Sequence, residues 1–511
     1  NENVLDVVAD IKHILVRLFE QKIPFGGFAF DSAVAAYLCN PATGKYELAR
    51  IAASYLDTEL PPAAYEADHA FTPLSDNDTE LSSVAAHLTA VSRLREVLSA
   101  KLEDQGMTKL MFDMELPLTE VLAYMQYIGF RVDKKRLVEY GEELAGRIAY
   151  LESAIYEAAG EQFNINSPKQ LGEVLFEHLG LPAKKKTKTG YSTNADVLES
   201  LRGKHEIIDA ILEYRKVAKL KSTYVDGLLK VVGRDGRIHS HFNQTDTRTG
   251  RLSSTEPNLQ NIPVRTELGS RLRAFFRAKD GYTLVDADYS QIELRVLAHM
   301  SGDSAMQEAF RSDKDIHTIT AAQVNGVPPE LVTSQMRSRA KAVNFGIVYG
   351  ISDFGLSRDL GIPVYEAKRY IESYFRQYPG VEEFMGSLVA FAKEHGYART
   401  LMGRRRYLPE LNSAKYSVRQ FGERVAMNMP IQGTAADIIK IAMIRVSEEL
   451  RKGGFASRLI LQVHDELLID AEKSEQDEVM ALLKRCMQDA YTLDVPLKVD
   501  VTAGRSWYEC K

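Results

Sequence analysis

The sequence predicts a multi-domain α+β protein, and three observations lead to that fold class. The chain has 511 residues, which at ~150 residues per domain corresponds to roughly three compact units. Its composition, with 45% hydrophobic and 26% charged residues, is typical of globular proteins and excludes collagen and wholesale disorder. Long stretches of helical periodicity are interrupted by short stretches of strand periodicity, so we expect both element types.

Cysteine usage and hydropathy indicate the compartment. Cys39, Cys486 and Cys510 lie far apart and are odd in number, so neither a disulfide framework nor a cysteine-based zinc site is indicated. No apolar run reaches the ~18 residues needed to span a bilayer. The opening residues Asn1–Asp6 also lack the basic start of a signal peptide. We therefore expect a cytoplasmic protein with no membrane partner.

Helices and strands can be placed along the chain from the spacing of apolar residues. Helical spacing covers residues 117–160, 195–232 and most of 330–424. Thr283, Val285 and Ala287 alternate with their neighbours as in a strand, and a helix is expected from Gln291 to His299. Residues 458–470 contain two apolar runs separated by acidic residues, which predicts a hairpin.

Charge is distributed unevenly along the chain. The net charge is −6, yet residues 311–424 hold 17 Lys and Arg against 12 Asp and Glu, whereas residues 1–110 hold 9 against 16. A summed charge says nothing about where the charges lie. Region 311–424 could therefore face phosphate, although so modest an excess is, without further motifs, more typical of a solvated surface, and region 1–110 is a poor nucleic-acid surface.

Acidic residues interrupt segments that otherwise resemble core. Asp288 ends the predicted strand, and Asp465 and Glu466 stand between the two apolar runs of the hairpin. Buried carboxylates need a cation, and oxygen ligands from two strands 177 residues apart suit Mg²⁺ while leaving positions for water and phosphate. The pattern predicts a metal site that could support two-metal chemistry.

A row of cations and aromatic residues follows in the basic region. Arg337, Lys341, Phe345 and Tyr349 are spaced by four residues, so on a helix they form one ridge. At ~1.5 Å per residue the ridge is roughly 18 Å long, about enough to place two cations along a triphosphate and two rings beside a sugar and base. Such cations hold a transferring phosphoryl group and offset its developing charge.

These segments resemble family A DNA polymerases. The runs Asp288–Arg295 (DYSQIELR), Arg337–Gly350 and Gln462–Glu466 (QVHDE) occur in the order of motifs A, B and C of that family. Further segments are also similar to it, namely residues 249–254, 257–263, 315–317, 403–409 and 430–437. The resemblance covers residues from about 115 to 511 and points to the bacterial polymerase I branch, without its 5′-nuclease domain.

The resemblance implies a right-hand polymerase fold with an antiparallel palm sheet and a helical thumb and fingers. The polymerase domain would span residues 116–511. Its expected parts are a thumb at about 120–265, a palm at about 266–310 and 425–511, and fingers at about 311–424.

The resemblance also implies the catalytic groups. Asp288, Asp465 and the Tyr289 carbonyl would hold two Mg²⁺ ions, with Glu466 in support. Lys341 would donate a proton to the leaving pyrophosphate. The implied reaction is in-line attack of a primer 3′-hydroxyl on the α-phosphate of a deoxynucleoside triphosphate.

Substrate contacts are carried over in the same way. Glu293 would crowd the 2′ position of the sugar and so disfavour ribonucleotides. The residues expected to contact the nucleotide are Gln291, Glu293, His317, Arg337, Lys341, Phe345 and Tyr349. The residues expected to contact the primer–template are Arg251, Arg424, Asn428, Gln432 and His464. Donors in the minor groove suit every sequence, because each correct base pair presents acceptors there.

Residues 1–115 resemble the 3′–5′ exonuclease domain of the family, which has a ribonuclease H-like fold, but the chemistry does not carry over. Ile14 and Leu88 stand where that domain has metal-binding acids, and the strand with its first motif would precede Asn1. Aliphatic side chains hold no metal. We therefore expect a degenerate, partial exonuclease-like domain, in which Asp31 caps a helix.

The leading hypothesis is a monomeric, template-directed DNA polymerase without 3′–5′ proofreading, whose partners are primer–template DNA and deoxynucleoside triphosphates. The alternative is a DNA-binding protein with a decayed polymerase site. Retention of Asp288, Lys341 and Asp465 favours the first. Phage-type RNA polymerases share the palm design but not the DYSQIELR run, so RNA polymerase is the inferior interpretation.

Overall fold

The computed structural model describes residues 10–62, 77–183, 186–187, 190–263, 266–312 and 314–510. Helices predominate, and the strands form one four-stranded sheet and four two-stranded sheets within these residues. No helix in the described residues is both long and apolar enough to cross a membrane.

The α-helices are numbered in chain order. They are α1 Ile11–Gln21, α2 Ser32–Cys39, α3 Leu48–Leu56, α4 Asn77–Asp104, α5 Thr108–Leu110, α6 Leu116–Ile128, α7 Lys134–Ala159, α8 Pro168–Glu173, α9 Ala195–Glu199, α10 Glu206–Lys219, α11 Asp226–Val231, α12 Glu267–Ser270, α13 Ile292–Ser301, α14 Ser304–Arg311, α15 Ile316–Asn325, α16 Ser334–Val348, α17 Asp353–Leu360, α18 Val364–Gln377, α19 Pro379–His395, α20 Tyr416–Lys452 and α21 Gln476–Gln488.

The strands are numbered in the same way. They are β1 Phe130–Arg131, β2 Lys186–Thr187, β3 Gly190–Tyr191, β4 Arg237–Ile238, β5 His241–Asn243, β6 Ser253–Thr255, β7 Tyr282–Tyr289, β8 Tyr397–Arg399, β9 Arg405–Tyr407, β10 Arg458–Val463, β11 Glu466–Glu472 and β12 Val499–Gly504.

Contacts divide the chain into two compact units, where length alone predicted about three. The large unit consists of Asn1–Ile128, Ser240–Thr255 and Asp280–Ala503. The small unit consists of Gly129–His239, Glu256–Lys279 and Gly504–Lys511. The finer division into exonuclease-like domain, thumb, palm and fingers remains a prediction.

The four-stranded sheet of the large unit has the order β10-β11-β7-β12. β11 pairs antiparallel with both β10 and β7. These strands are the predicted strand before residue 290 and the predicted hairpin of residues 458–470, so both predictions are confirmed. The interior of β7 and β11 is almost entirely buried, because helices such as α21 cover strands whose apolar side chains point to both faces.

The long helix α20 supports this sheet from residues 416 to 452 and contacts α6, α13, α19, α21 and β10. Its middle is buried on all sides from Met429 to Lys440, which is typical of a helix inside a large core. Pro430 lies within the helix, where it removes one backbone donor.

The N-terminal helices belong to the large unit. The Asp31 side chain accepts hydrogen bonds from the amides of Ala33 and Val34 and so caps α2, as predicted. A third bond at 2.9 Å, from the amide of Ile11, ties α1 to the same carboxylate. One Asp side chain thus fixes the start of both helices.

A buried ion cluster lies at the predicted boundary between residues 115 and 116. The cluster consists of Glu115, Arg404, Asp437 and Lys440. Arg404 bonds both carboxylates, and Lys440 Nζ lies 2.7 Å from Glu115 Oε1. All four side chains are at most 3% exposed. The cluster joins the helices before α6 to α20 within one core.

The small unit has a separate aromatic core. Arg273 lies over the Trp507 ring, with its guanidinium carbon 3.7 Å from the ring centroid. Phe130 and Phe276 pack beside the same ring. The C-terminal residues are therefore part of this unit's core, a contact between distant parts of the chain that local periodicity does not reveal.

Candidate active site

Adjacent strands bring the predicted catalytic acids together. Asp288 near the end of β7 and Glu466 at the start of β11 are cross-strand partners, and Asp465 directly precedes Glu466. The Tyr289 amide donates to the Asp465 carbonyl at 3.1 Å. The Tyr289 hydroxyl donates to the Met487 carbonyl at 2.6 Å, so the predicted metal contact of Tyr289 rests on its main-chain carbonyl.

The electrostatic surroundings of Asp465 are unfavourable for a carboxylate. Burial raises its pKa to about 7, and the nearby carboxylates of Glu293 and Asp288 push in the same direction. Arg251 opposes the shift and does not overcome it. We call Asp288, Glu293 and Asp465 the carboxylate cluster. Two aspartate side chains and the Tyr289 main-chain carbonyl in and beside this cluster are oxygen donors of the kind that a divalent cation prefers.

Two residues beside the carboxylate cluster adopt left-handed backbone conformations. Gln291, which caps α13, has φ 58°, and His464, in the turn before Asp465, has φ 53°. Such a conformation costs a non-glycine residue about 1–2 kcal/mol. Left-handed non-glycine residues often occur at functional sites, and both of these were predicted as substrate contacts from the sequence.

Glu293 is held by two hydrogen bonds. Its side chain is 5% exposed and accepts from the Arg251 guanidinium. Its other carboxylate oxygen accepts from the Tyr349 hydroxyl at 3.2 Å. The last member of the predicted cation and aromatic ridge is therefore in direct contact with the carboxylate cluster, as the sequence could not show.

The ridge lies on α16 as predicted, except that Tyr349 follows the helix as its C-terminal cap. Arg337 Nε lies 2.5 Å from Asp315 Oδ2 in a partly exposed ion pair. Lys341 is exposed, with its ammonium 6.0 Å from the centroid of the Phe345 ring. The two cations therefore have different partners: Arg337 is paired with a carboxylate, and Lys341 lies over an aromatic ring.

His317 lies behind the ridge rather than on the surface. It is 2% exposed, and its Nδ1 lies 2.8 Å from the side-chain nitrogen of Asn344. Burial lowers the pKa of His317 to about 4, and Arg337 and Lys341 also lower it against the opposing effect of Asp315. The imidazole is therefore neutral at pH 7, and any contact with a phosphate would be a hydrogen bond rather than an ion pair.

Three predicted DNA contacts share one face of α20. Arg424, Asn428 and Gln432 are spaced by four residues and so form a ridge. The side-chain oxygen of Asn428 is buried without a hydrogen-bond partner in the described part of the chain. Gly350 (φ 62°) lies against this ridge, and a Cβ there would come within 3.2 Å of Arg424 Cγ. Only glycine lets the end of α16 approach so closely.

The loop before β6 carries Arg251, which pairs with Glu293 on α13. Gly250 has φ 90°, and a Cβ there would lie 2.5 Å from Arg404 Nε. Glycine is therefore required for both the conformation and the space. The motif of residues 249–254 is thus packed against the buried ion cluster, which fixes Arg251 where it reaches Glu293.

The positions of the missing exonuclease acids are exposed. The Ile14 side chain on α1 is 36% exposed and Leu88 on α4 is 66% exposed. No group of three or more His, Cys, Asp or Glu side chains that could hold a metal ion occurs in the described residues. The carboxylate cluster is consistent with this, because the prediction there relies on two aspartates and a main-chain carbonyl.

Sequence reasoning assigned no role to two residues that organise the ridge. Asp315 caps α15 and also pairs with Arg337, and Asn344 bonds to His317. Asp315 belongs to the short motif of residues 315–317, which was the available signal for it. Asn344 faces the interior from α16. It lies outside the four-residue repeat of the ridge, so no sequence pattern indicated its contact with His317.

Comparisons with known proteins identify the family of the chain. The model of DNA polymerase family A matches residues 134–509. The chain is 49% identical over 507 residues to DNA polymerase I of Bacillus subtilis (strain 168), covering 99% of this chain and 58% of that protein. It is also 49% identical over 506 residues to DNA polymerase I of Geobacillus stearothermophilus, covering 98% of this chain and 58% of the relative.

A solved structure is similar along almost the whole chain. The POL domain of Pol1 from M. smegmatis, in complex with DNA primer-template and dNTP, matches with a TM-score of 0.90 and 43% identity, covering 98% of this chain and 86% of that one. The chain spans somewhat more than half the length of the polymerase I relatives that it matches. The family resemblance seen in the sequence motifs is confirmed, and this chain belongs to DNA polymerase family A.

Proposed function

We propose that the chain is a template-directed DNA polymerase that adds deoxynucleotides to a primer 3′-hydroxyl. The observation that carries the proposal is the hydrogen bond from Tyr349 to Glu293. It joins a ridge suited to a nucleoside triphosphate to a cluster of carboxylates suited to metal ions. Relatives named DNA polymerase I, and a similar structure in complex with primer-template and dNTP, support the same activity.

Asp288, Asp465 and the Tyr289 carbonyl would hold two Mg²⁺ ions, which when bound supply Lewis-acid activation of the primer hydroxyl and stabilise the leaving group. Glu466, buried beside Asp288, would orient these ligands. The excess negative charge around Asp465 supports this assignment, because cations would relieve it.

The ridge residues have separate tasks in the proposal. Arg337 exchanges Asp315 for the triphosphate, and Lys341 offsets charge on the leaving pyrophosphate and donates a proton to it. His317 is a neutral hydrogen-bonding partner for the phosphates. Phe345 and Tyr349 pack against sugar and base, and Glu293 restricts the 2′ position of the sugar with Gln291 beside it.

The α20 ridge would contact the primer–template. Arg424, Asn428 and Gln432 would donate to minor-groove acceptors, which are present in every correct pair. Arg251 would leave Glu293 for the same groove, and His464 would lie beside the primer end.

The domain roles follow from these assignments. We place the palm at residues 266–310 and 425–511, the fingers at 311–424 and the thumb at 120–265. Residues 1–115 are a degenerate exonuclease-like domain that lacks proofreading because Ile14 and Leu88 cannot bind metal. We also propose that the enzyme acts as a monomer in the cytoplasm.

Extension of a primed template in Mg²⁺ with four deoxynucleoside triphosphates tests the proposal. The parent chain should extend the primer according to the template, and Asp288→Asn should not. Without nucleotides, a mismatched primer 3′ end should remain intact. DNA binding without extension by the parent would instead favour the decayed-site alternative, and loss of terminal nucleotides would contradict the degenerate exonuclease assignment.

A further inference from the structure

A cleft of about 510 Å³ opens in the large unit between α2, α3, the end of α4 and the end of β9. Its volume lies within the ~300–1,000 Å³ range of small-molecule sites. None of its lining residues belongs to the polymerase site described above. Three tyrosines, three cations and one buried amide face this cleft.

The tyrosines give the cleft aromatic walls. Tyr46, Tyr55 and Tyr407 line it and are all half-buried. The Tyr46 hydroxyl donates to the Asn40 carbonyl at 2.7 Å, and the Lys101 ammonium lies 5.4 Å from the centroid of the Tyr55 ring. Tyrosine rings held in this way are suitable surfaces for stacking a nucleobase.

The charges that line the cleft are all positive. Lys45, Arg50 and Lys101 line it, whereas no Asp or Glu does so among the described residues. This is unexpected from composition, because residues 1–110 hold 16 acidic residues against 9 basic ones. Arg50 pairs at 3.2 Å with Glu47, but both side chains are 59% exposed, and such surface pairs are easily exchanged. The cleft is therefore suited to an anion.

The amide of Gln105 adds a hydrogen-bonding requirement. Gln105 is 8% exposed, and its side-chain oxygen is buried without a hydrogen-bond partner in the described residues. Its main-chain carbonyl accepts from Arg405 at 2.6 Å, which fixes the residue in place. A buried acceptor in this state is stabilised by a ligand that supplies an N–H donor.

We propose that this cleft binds a nucleoside 5′-phosphate. The base packs against the tyrosines and donates an N–H to Gln105, while the phosphate is held by Lys45, Arg50 and Lys101. A free nucleoside monophosphate and the 5′-phosphorylated end of a DNA strand present the same chemistry. The site lies apart from the predicted exonuclease position, because Lys101 is 13 residues beyond Leu88 on α4, roughly 20 Å at ~1.5 Å per residue. The inference does not rest on the polymerase proposal.

Equilibrium dialysis of the full chain with radiolabelled dAMP tests the proposal, since the adenine amino group is a suitable donor. One saturable site is expected. Lys101→Ala and Gln105→Leu should each weaken binding at least about tenfold, because they remove a phosphate contact and the acceptor for the base. Arg95→Ala removes an exposed cation from the same helix and should bind as the parent does.

Two further controls separate this site from the polymerase site. Lys341→Ala should leave dAMP binding unchanged, and Lys101→Ala should extend a primer at the parent rate. Binding that is lost in Lys341→Ala and kept in Lys101→Ala would place the nucleotide at the polymerase site and overturn the proposal.

Competition identifies the source of the ligand. A short oligonucleotide with a 5′-phosphate that displaces dAMP better than its dephosphorylated form, and better than unlabelled dAMP, would identify a strand end. The reverse order would identify the free nucleotide. Inorganic phosphate competing as well as dAMP would show that the base is not recognised. That result, or the absence of saturable binding, would overturn the proposal.

Discussion

The large unit contains two sets of buried carboxylates with opposite electrostatic surroundings. In the buried ion cluster, burial acts to raise the pKa of Glu115, but Lys440 and Arg404 outweigh burial and lower it to about 2. In the carboxylate cluster, burial and two neighbouring acids raise the pKa of Asp465 to about 7. The cations beside Glu115 outweigh the effect of burial on its pKa, whereas Arg251 does not do so for Asp465.

The difference separates a structural role from a functional one. Two carboxylates and two cations within the buried ion cluster fix α20 and the segment before α6, and their formal charges are equal and opposite. In the carboxylate cluster, Arg251 and the Tyr349 hydroxyl both contact Glu293, and the pKa of Asp465 nevertheless stays raised. Perturbed pKa values of buried acids are typical of functional sites, so we propose that catalysis belongs to the second set.

The largest expected effect on stability comes from breaking the buried ion cluster. Glu115→Gln should lower the free energy of unfolding by about 3–5 kcal/mol, because it leaves Arg404 and Lys440 with one carboxylate fewer. Chemical denaturation followed by circular dichroism measures this. Glu120→Gln, which loses only a partly exposed pair with Arg451, should change it by less than about 1 kcal/mol. Equal losses of stability in Glu115→Gln and Glu120→Gln would show that the buried ion cluster stabilises the fold no more than an exposed ion pair does.

Two lysines of the large unit show the same contrast between a structural and a proposed catalytic role. Lys440 is fully buried and paired, whereas Lys341 is exposed beside Phe345. Lys341→Ala should lower the single-turnover rate of extension by about 10²-fold, since the charge acts in the transition state, and should leave stability unchanged. Lys368→Ala, an exposed lysine elsewhere on the proposed fingers, is the control. A defect confined to primer binding would contradict this role for Lys341.

The smallest expected effect concerns His317 and the pH dependence of the free energy of unfolding. Its pKa is about 4 when folded and ~6.5 when unfolded, so the unfolded chain binds more protons between these values. Its stabilising contribution is complete above about pH 6.5 and is lost as pH falls towards 4. As the pH falls over this range, the unfolding free energy of His317→Gln should therefore decrease by about 2–3 kcal/mol less than that of the parent. Parallel pH profiles of unfolding free energy would show that His317 is not held neutral.

The sequence predicted the elements whose pattern is local. β7, the hairpin at His464 and the ridge from Arg337 to Phe345 all follow from spacing, because alternation and a four-residue repeat are visible within one segment. The family motifs added roles for Asp288 and Asp465 that spacing alone did not give.

Contacts between distant segments were not predictable in the same way. Glu115 meets Arg404 and Lys440 across 289 and 325 residues, and no local pattern marks them as partners. Gln105 likewise follows a long helix, and nothing in the local sequence pattern indicates that its side-chain oxygen is unpaired. Such pairs depend on how elements pack, which a single sequence does not specify.

We propose that Asp465 occupies a position unfavourable to its charge because its carboxylate is needed for catalysis. Single-turnover extension and unfolding free energy, measured on the same Asp465→Asn protein, test it most directly. We predict that the rate falls by about 10³-fold or more, through loss of a metal ligand worth several kcal/mol. Primer–template binding should stay within a few-fold, because phosphate contacts supply most of the affinity.

Stability should stay equal or rise in the same variant, because one of three mutually repelling carboxylates is removed. An extension rate within about tenfold of the parent, or a stability loss like that of Glu115→Gln, would contradict the claim.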